Sequence, residues 1–349
     1  MKRLRSLALF AVVAAGFATV ALVGQAPSTS GAKMSAAAKK FIASLSPEQK
    51  KKGTFAFDDK ARLAWFFTPQ QDKDRNFTRV GVRMEELNPD QKMAALELLK
   101  SGLSKKGYEQ ATTIMSLEGL LADLEGQKGA MVRNPGWYFI SVFGDPSDTG
   151  GWGWRFEGHH MSVNYTLNKG EVVTATPLMF GANPAEVKDG TRKGLRTLPG
   201  IEDQARALIK SLNPDQDKVA KQPTPKNYSE LEIKENKPRA DVGPPVGISA
   251  DKLTADQRKT LMALIEEYAD RLPEDLAAGE KKKATDAAAD KLFFAYTGSP
   301  VPGEPYTYRV YGPGFVIEFL NVQADSAKNV ANHIHSAWRR TPADFGLAE

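Results

Sequence analysis

Gly151-Trp-Gly-Trp-Arg-Phe-Glu-Gly-His-His-Met-Ser-Val-Asn-Tyr165 is the stretch on which the reading of this chain turns. Aromatic and branched side chains alternate there with small or polar ones, the pattern of an extended chain. The flanking runs 137–143 and 172–180 have the same character and are separated from it by Gly, Asp, Pro and Ser, so 137–143, 152–167 and 172–180 read as an antiparallel meander. Alternation along 152–167 puts Trp154, Phe156, His160, Ser162 and Asn164 on one face, and Glu157, His159, Met161, Val163 and Tyr165 on the other.

The same stretch holds two of the four histidines in 349 residues; the other two form His333-Ile334-His335. His160 shares its polar row with Ser162 and Asn164 and is the better site candidate, whereas His159 among apolar neighbours reads as a core histidine. For the C-terminal pair, a strand would aim both imidazoles at one point and a helix would set them roughly 200° apart. Val330, Ile334 and Ala337/Trp338 recur at helical intervals and Asp325-Ser326 resembles a cap, so a helix is expected over 327–340, with at most one of His333 and His335 facing His160.

Outward from these motifs, a short pattern recurs four times: Leu45-Ser-Pro-Glu-Gln49, Leu87-Asn-Pro-Asp-Gln91, Leu212-Asn-Pro-Asp-Gln216 and Leu253-Thr-Ala-Asp-Gln257. Each has an N-cap, a first-turn acid and a Gln that closes a capping box. Capping accounts for every position, and the unequal gaps rule out a solenoid. Thr54-Phe-Ala-Phe57 and Arg62-Leu-Ala-Trp-Phe-Phe67 suggest a hairpin, and Met93-Ala-Ala-Leu-Glu-Leu-Leu99 with 108–124 a helical pair. A helix over 201–212 closes the first half, and residues 213–247 read as a Pro- and Lys-rich surface connection. The second half repeats the order of helices then aromatic strands, with a hairpin around Gly312-Pro-Gly314, but no residue-level repeat stands out.

The basic start Met1-Lys-Arg-Leu-Arg5, the apolar run 7–23 and the small residues after it read as a cleavable leader, which makes the mature chain exported, periplasmic or extracellular. No later run is apolar enough to span a membrane. Of the net charge of +5, Lys2, Arg3 and Arg5 carry three, leaving +2, and nothing points to nucleic acid. With no cysteine, disulfides, thiolate metal sites and cysteine nucleophiles are excluded. Gly-x-Ser-x-Gly, Walker, His-Glu-x-x-His and EF-hand motifs are missing.

Three readings of the histidines stay open. His160 with His333 or His335 and a carboxylate such as Glu157 or Glu318 can hold a divalent metal with an open position; the imidazoles can be satisfied structurally; or His160 can do metal-free acid–base work. Glu318 in an apolar strand is read as paired with Arg309. Trp152, Trp154, Tyr306 and Tyr308 have the chemistry to stack on a sugar, though aromatics on paired strands more often pack.

Several of these motifs resemble the secreted bacterial proteins grouped as domain of unknown function 3500. The resemblance rests on Trp65-Phe-Phe-Thr-Pro69, Trp154-Arg-Phe-Glu-Gly-His-His160 with Asn164-Tyr165, Pro177 with Phe180-Gly-Ala182, Tyr308-Arg-Val-Tyr-Gly-Pro313 with Ile317-Glu318, and Asn332-His-Ile-His335 with Trp338-Arg339 and Asp344-Phe-Gly346. It covers residues 38–346 and implies export and one shared histidine site, without an assigned reaction.

The expected protein is thus α+β, with antiparallel aromatic-rich sheets covered by N-capped helices and two halves packed around a cleft. Its parts are a signal peptide over 1–26, a first half over 36–212, a connection over 213–250 and a second half over 251–349. The leading functional expectation is a metal-assisted hydrolase or lyase. His160, His333 and His335 are its metal candidates, and His160, His335, Glu157 and Arg339 its catalytic candidates. Trp154, Arg155, Asn164, Trp338 and Arg309 would bind a small-molecule or glycan ligand. The competing expectation is a non-catalytic binder of carbohydrate or of a cell-envelope component.

Overall fold

Four helices begin where the capping pattern sets them. The side chains of Ser46, Asn88, Asn213 and Thr254 accept from the backbone N–H three residues on, and Gln49, Gln91, Gln216 and Gln257 return a carbonyl to the cap N–H. These glutamines also join the helices in pairs. Gln49 and Gln91 exchange amide hydrogen bonds of 3.2 and 2.8 Å, and Gln216 and Gln257 do the same at 2.9 Å in both directions. Capping is therefore only half of what the repeated motif does.

The computed structural model describes residues 29–126 and 129–347, so the leader expected over 1–26 lies outside the described residues. In chain order the first half contains α1 (Ser30–Ser44), α2 (Pro47–Gly53), β1 (Thr54–Phe55), β2 (Val82–Arg83), α3 (Pro89–Ser101) and α4 (Lys105–Glu125). It continues with β3 (Phe139–Phe143), β4 (Gly151–Gly158), β5 (Met161–Asn168), β6 (Glu171–Thr174) and β7 (Leu178–Ala182). The second half contains α5 (Pro199–Ser211), α6 (Pro214–Ala220), β8 (Ile248–Ser249), α7 (Ala255–Ala269) and α8 (Glu274–Asp286); α5, expected to close the first half, packs instead on α7 as α1 packs on α3. It ends with β9 (Phe293–Gly298), β10 (Tyr306–Gly312), β11 (Phe315–Gln323) and β12 (His333–Arg340).

All twelve strands form one sheet, in the order β1-β3-β4-β5-β7-β12-β11-β10-β9-β8, with β2 on β3 and β6 on β5. Every pairing is antiparallel except β1 with β3. From β3 to β9 the order is symmetric about the β7–β12 seam, with β2 on β3 answering β8 on β9, and the helices precede their strands in the same succession in both halves. Registers make the repeat visible at residue level: Arg155 opposes Asn164 as Arg309 opposes Glu318, and Trp154 opposes Tyr165 as Tyr308 opposes Phe319. Trp152-Gly-Trp-Arg-Phe-Glu-Gly158 thus corresponds to Tyr306-Thr-Tyr-Arg-Val-Tyr-Gly312, a likeness that the differing residue types conceal in the sequence.

One face of the sheet, including Trp154, Phe156, Met161, Val163 and Tyr165, packs with the helices in the main core. The other carries a smaller cluster in which Trp65, Phe67 and Ile233 meet Met179, Leu320 and Ala337. Two irregular segments supply that cover, and both differ from expectation. Residues 54–67 form no hairpin: Thr54–Phe55 pairs parallel with β3, Lys60–Leu63 is a single 3₁₀ turn, and Trp65 and Phe67 are buried. The 213–247 connection opens with α6 and then lies on the sheet, where its Lys237 carbonyl accepts from the Trp65 indole at 3.0 Å.

Two further expectations are corrected at the histidines. Residues 152–167 are two strands with His159-His160 as the turn between them, so the alternation changes phase there. Glu157 consequently shares a side with Ser162 and Asn164 (Ser162 Oγ donates to it at 3.3 Å), and Trp154 and Phe156 face away from them. The helix expected over 327–340 is instead strand β12, paired on both sides by β11 and β7. The four-residue spacing from Val330 to Ile334 to Trp338 fits an alternating strand as well as a helix, and Val330 is 59% exposed, outside the core.

Candidate functional site

The β4–β5 turn has the same two-residue length as the β10–β11 turn, and the registers make His159-His160 the counterpart of Pro313-Gly314. Pro followed by Gly is what a turn with positive φ at its second central residue calls for. Gly314 has φ 76°, and His160 adopts φ 62° in the same role. A non-glycine residue held this way costs on the order of 1–3 kcal/mol, a strain that concentrates at functional sites. Its surroundings hold it there: His160 N–H donates to the Phe67 carbonyl and Gly181 N–H to the His160 carbonyl, both at 2.8 Å.

Strand β12 brings His333 and His335 to the same side, next to that turn. His335 is directly opposite Gly181 on β7, and the missing side chain there leaves room for the His160 ring. A Cβ at 181 would come within 3.0 Å of His160 Cδ2 and 2.6 Å of the Ile334 carbonyl. His160 Nε2 is 2.7 Å from His333 Nε2, and His160, His333 and His335 each offer a ring nitrogen within 4.8 Å of the others. The strand thus brings both C-terminal histidines to His160, where a helix would have brought at most one.

Each C-terminal histidine is anchored. Glu232, from the cover segment, accepts from His335 Nδ1 at 2.8 Å, leaving Nε2 for the cluster. His333 is held through its backbone N–H, which donates to Asn321 Oδ1 at 3.0 Å. His159 stacks on His160 with ring centroids 3.7 Å apart and is hydrogen-bonded to Glu118, so it is a satisfied histidine but a polar one. Arg133, which Glu125 grips at 2.8 and 2.9 Å, approaches His159 Nδ1 at 3.2 Å.

His160 is 3% and His335 6% exposed, while half-buried His333 opens onto a cleft of about 490 Å³ that Arg133, Asn183, Ser326 and Lys328 also line. Burial, and then the neighbouring imidazoles, push His160 and His333 well below the usual 6.5. Both rings are therefore neutral at pH 7, the state that offers lone pairs. Burial alone would raise Glu232, but the His335 ring beside it holds the carboxyl below its usual 4.5.

The donor set fits a divalent metal. Three ring nitrogens converge, and the Glu232 carboxylate behind His335 holds that ring in place, as in the usual outer shell of a histidine site. Ligands at about 2.0–2.1 Å from a tetrahedral ion stand about 3.3 Å apart. Seating an ion thus spreads His160 and His333 by about half an ångström from 2.7 Å and draws together nitrogens that stand up to 4.8 Å apart by up to about 1.5 Å, a movement of side chains on a fixed backbone. Glu232→Gln is expected to weaken metal binding about 10–100-fold while leaving the fold intact, readable by competition with a chromophoric chelator.

The imidazole shifts also fix a sign for pH. Groups whose folded value lies below the unfolded one favour the folded state above the unfolded value and oppose it as pH falls. Metal-free protein is thus expected to lose stability as pH drops below 6.5, with Glu232 adding to the loss at lower pH. Urea midpoints measured from pH 7.5 to 5 check this; a flat profile contradicts the buried neutral rings.

The other candidate residues are engaged elsewhere. Glu157 accepts from Phe66 N–H at 2.9 Å and pairs with Arg155 at 3.3 Å, fixing the cover. Asn164 donates to Ser162 Oγ at 2.9 Å and the Pro177 carbonyl at 2.8 Å. Arg339 is fully buried against Asp344 at 2.5 Å and the Lys237 carbonyl at 2.8 Å. Trp154 stacks on Tyr165 in the core, and Trp338 packs on Phe315. Arg309 does pair with Glu318, at 3.3 Å, beside a different cavity. Glu232, Glu118 and Arg133 shape the cluster without any sequence signal, because each comes from a segment remote in the chain, whereas Gly181 lies in the Phe180-Gly-Ala182 motif.

A family model described as "Protein of unknown function (DUF3500)" matches residues 28–347. The chain belongs to that family. No curated protein and no solved structure matches it, so the family membership brings no reaction with it and the site must be read from its own chemistry.

Proposed function

We propose that this member of the DUF3500 family is an exported metal-dependent enzyme, a metal-assisted hydrolase or lyase whose divalent ion is held by His160, His333 and His335. The single observation that carries the reading is the convergence of three ring nitrogens within 4.8 Å, one of them backed by Glu232. Three imidazoles would leave a coordination position open, and an ion held by them would supply Lewis acidity to a water or to an oxygen of the substrate. All-nitrogen ligation suits zinc, copper, nickel or iron better than magnesium or calcium. The leader pattern supports export.

Lys328 and the Glu125-paired Arg133 line the cleft together with Asp325, so a substrate there meets charges of both signs. The carbohydrate-binding alternative finds no support in Trp152, Trp154, Tyr306 and Tyr308, which are at most 1% exposed. Metal-reconstituted protein, screened against carboxylic, phosphoric and glycosidic ester and amide substrates, is expected to turn over at least one class. That rate should vanish with a chelator and in His333→Ala. Turnover that survives both would overturn the assignment.

A further inference from the structure

Asn183 is the first residue after β7. The β7–β12 register pairs Ala182 with Ile334 and Gly181 with His335, so Asn183 comes opposite His333. It is 4% exposed, it lines the same cleft as His333, and its Oδ1 is buried without a protein donor. The asparagines around it are fully used. Asn321 Oδ1 accepts from His333 N–H, and Asn332 Oδ1 accepts from Glu186 N–H at 2.8 Å while its amide donates to Asp325 at 2.7 Å. An acceptor left open in such a network, beside a metal-ligand candidate, calls for a donor that the protein does not supply.

We propose that Asn183 contacts the bound ligand of the histidine centre, its Oδ1 accepting a hydrogen bond from an O–H or N–H of that molecule. The centre then selects ligands that carry a donor next to the group meeting the ion, as hydroxy acids, amides and hydroxamates do. Ligands with no hydrogen to give gain nothing from Asn183. The inference rests on the metal reading, and its test separates the two.

The untagged chain is loaded with Co²⁺, whose visible spectrum reports both ion binding and ligand binding. It is then titrated with acetohydroxamate, which has an N–H, and with azide, which has none. In Asn183→Leu the affinity for acetohydroxamate is expected to fall about tenfold relative to that for azide, the effect of one hydrogen bond. Asn183→Asp keeps the acceptor and the shape, and is expected to retain or raise the preference for acetohydroxamate over azide; it serves equally if the leucine variant does not fold. Normal Co²⁺ loading with an unchanged preference in Asn183→Leu, or a lost preference in Asn183→Asp, overturns the role of Asn183 alone. Failure of the folded wild type to take up Co²⁺ overturns the metal reading and this inference with it.

Discussion

His160→Ala protein is expected to bind a divalent ion at least about 100-fold more weakly than the wild type, since the loss of outer-shell partners alone accounts for about 10–100-fold. The same position separates binding from stability. At φ 62° an alanine keeps the steric strain of the left-handed region, whereas a glycine has none. His160→Gly and His160→Ala both lack the imidazole and leave the same cavity, so their difference isolates the backbone. Metal-free His160→Gly is expected to be more stable than His160→Ala by about 1 kcal/mol, after allowance for the larger unfolded-state entropy of glycine. Urea denaturation measures this directly. Equal stabilities would mean that the turn stores no strain, and equal zinc affinities of wild type and His160→Ala would remove His160 from the site.

Arg339→Ala is expected to cost about 3–5 kcal/mol, because it leaves the Asp344 carboxylate buried and unpaired. Both side chains have no solvent exposure and are 2.5 Å apart, and the guanidinium also lies 4.8 Å from the centre of the Trp65 ring and bonds the Lys237 carbonyl. Arg339 therefore ties the two cover segments to β12, behind the strand that carries His333 and His335. Poor soluble yield or a large drop in urea midpoint is expected for Arg339→Ala and, through the same pair, for Asp344→Ala. A fully stable Arg339→Ala protein with lost turnover would restore Arg339 to the catalytic role expected of it from the sequence.

What the sequence disclosed followed the range of the interactions involved. The capped helix starts are local, resting on three or four consecutive residues, and each is read correctly. The glutamine pairs between helices and the symmetric sheet depend on contacts across much of the chain, where Trp and Tyr or His-His and Pro-Gly fill equivalent positions. The cover segments 54–67 and 222–247 have no period because they follow the sheet's shape and build nothing longer than a two-residue pairing or a single 3₁₀ turn. The histidine turn was hidden for a related reason: its second residue adopts a glycine conformation without being glycine. Convergence of His160 with the C-terminal pair was legible as a possibility of residue type, but its geometry depended on β12 being a strand, which the ambiguous four-residue spacing could not decide.

Metal stoichiometry of the untagged protein tests the shared centre most directly. Protein stripped with a chelator, equilibrated with zinc and freed of excess is expected to retain one equivalent by mass spectrometry, and folded His333→Ala to retain essentially none. Folded wild type that holds no ion, or a His333→Ala protein that holds as much as the wild type, contradicts a single ion bound by these three imidazoles.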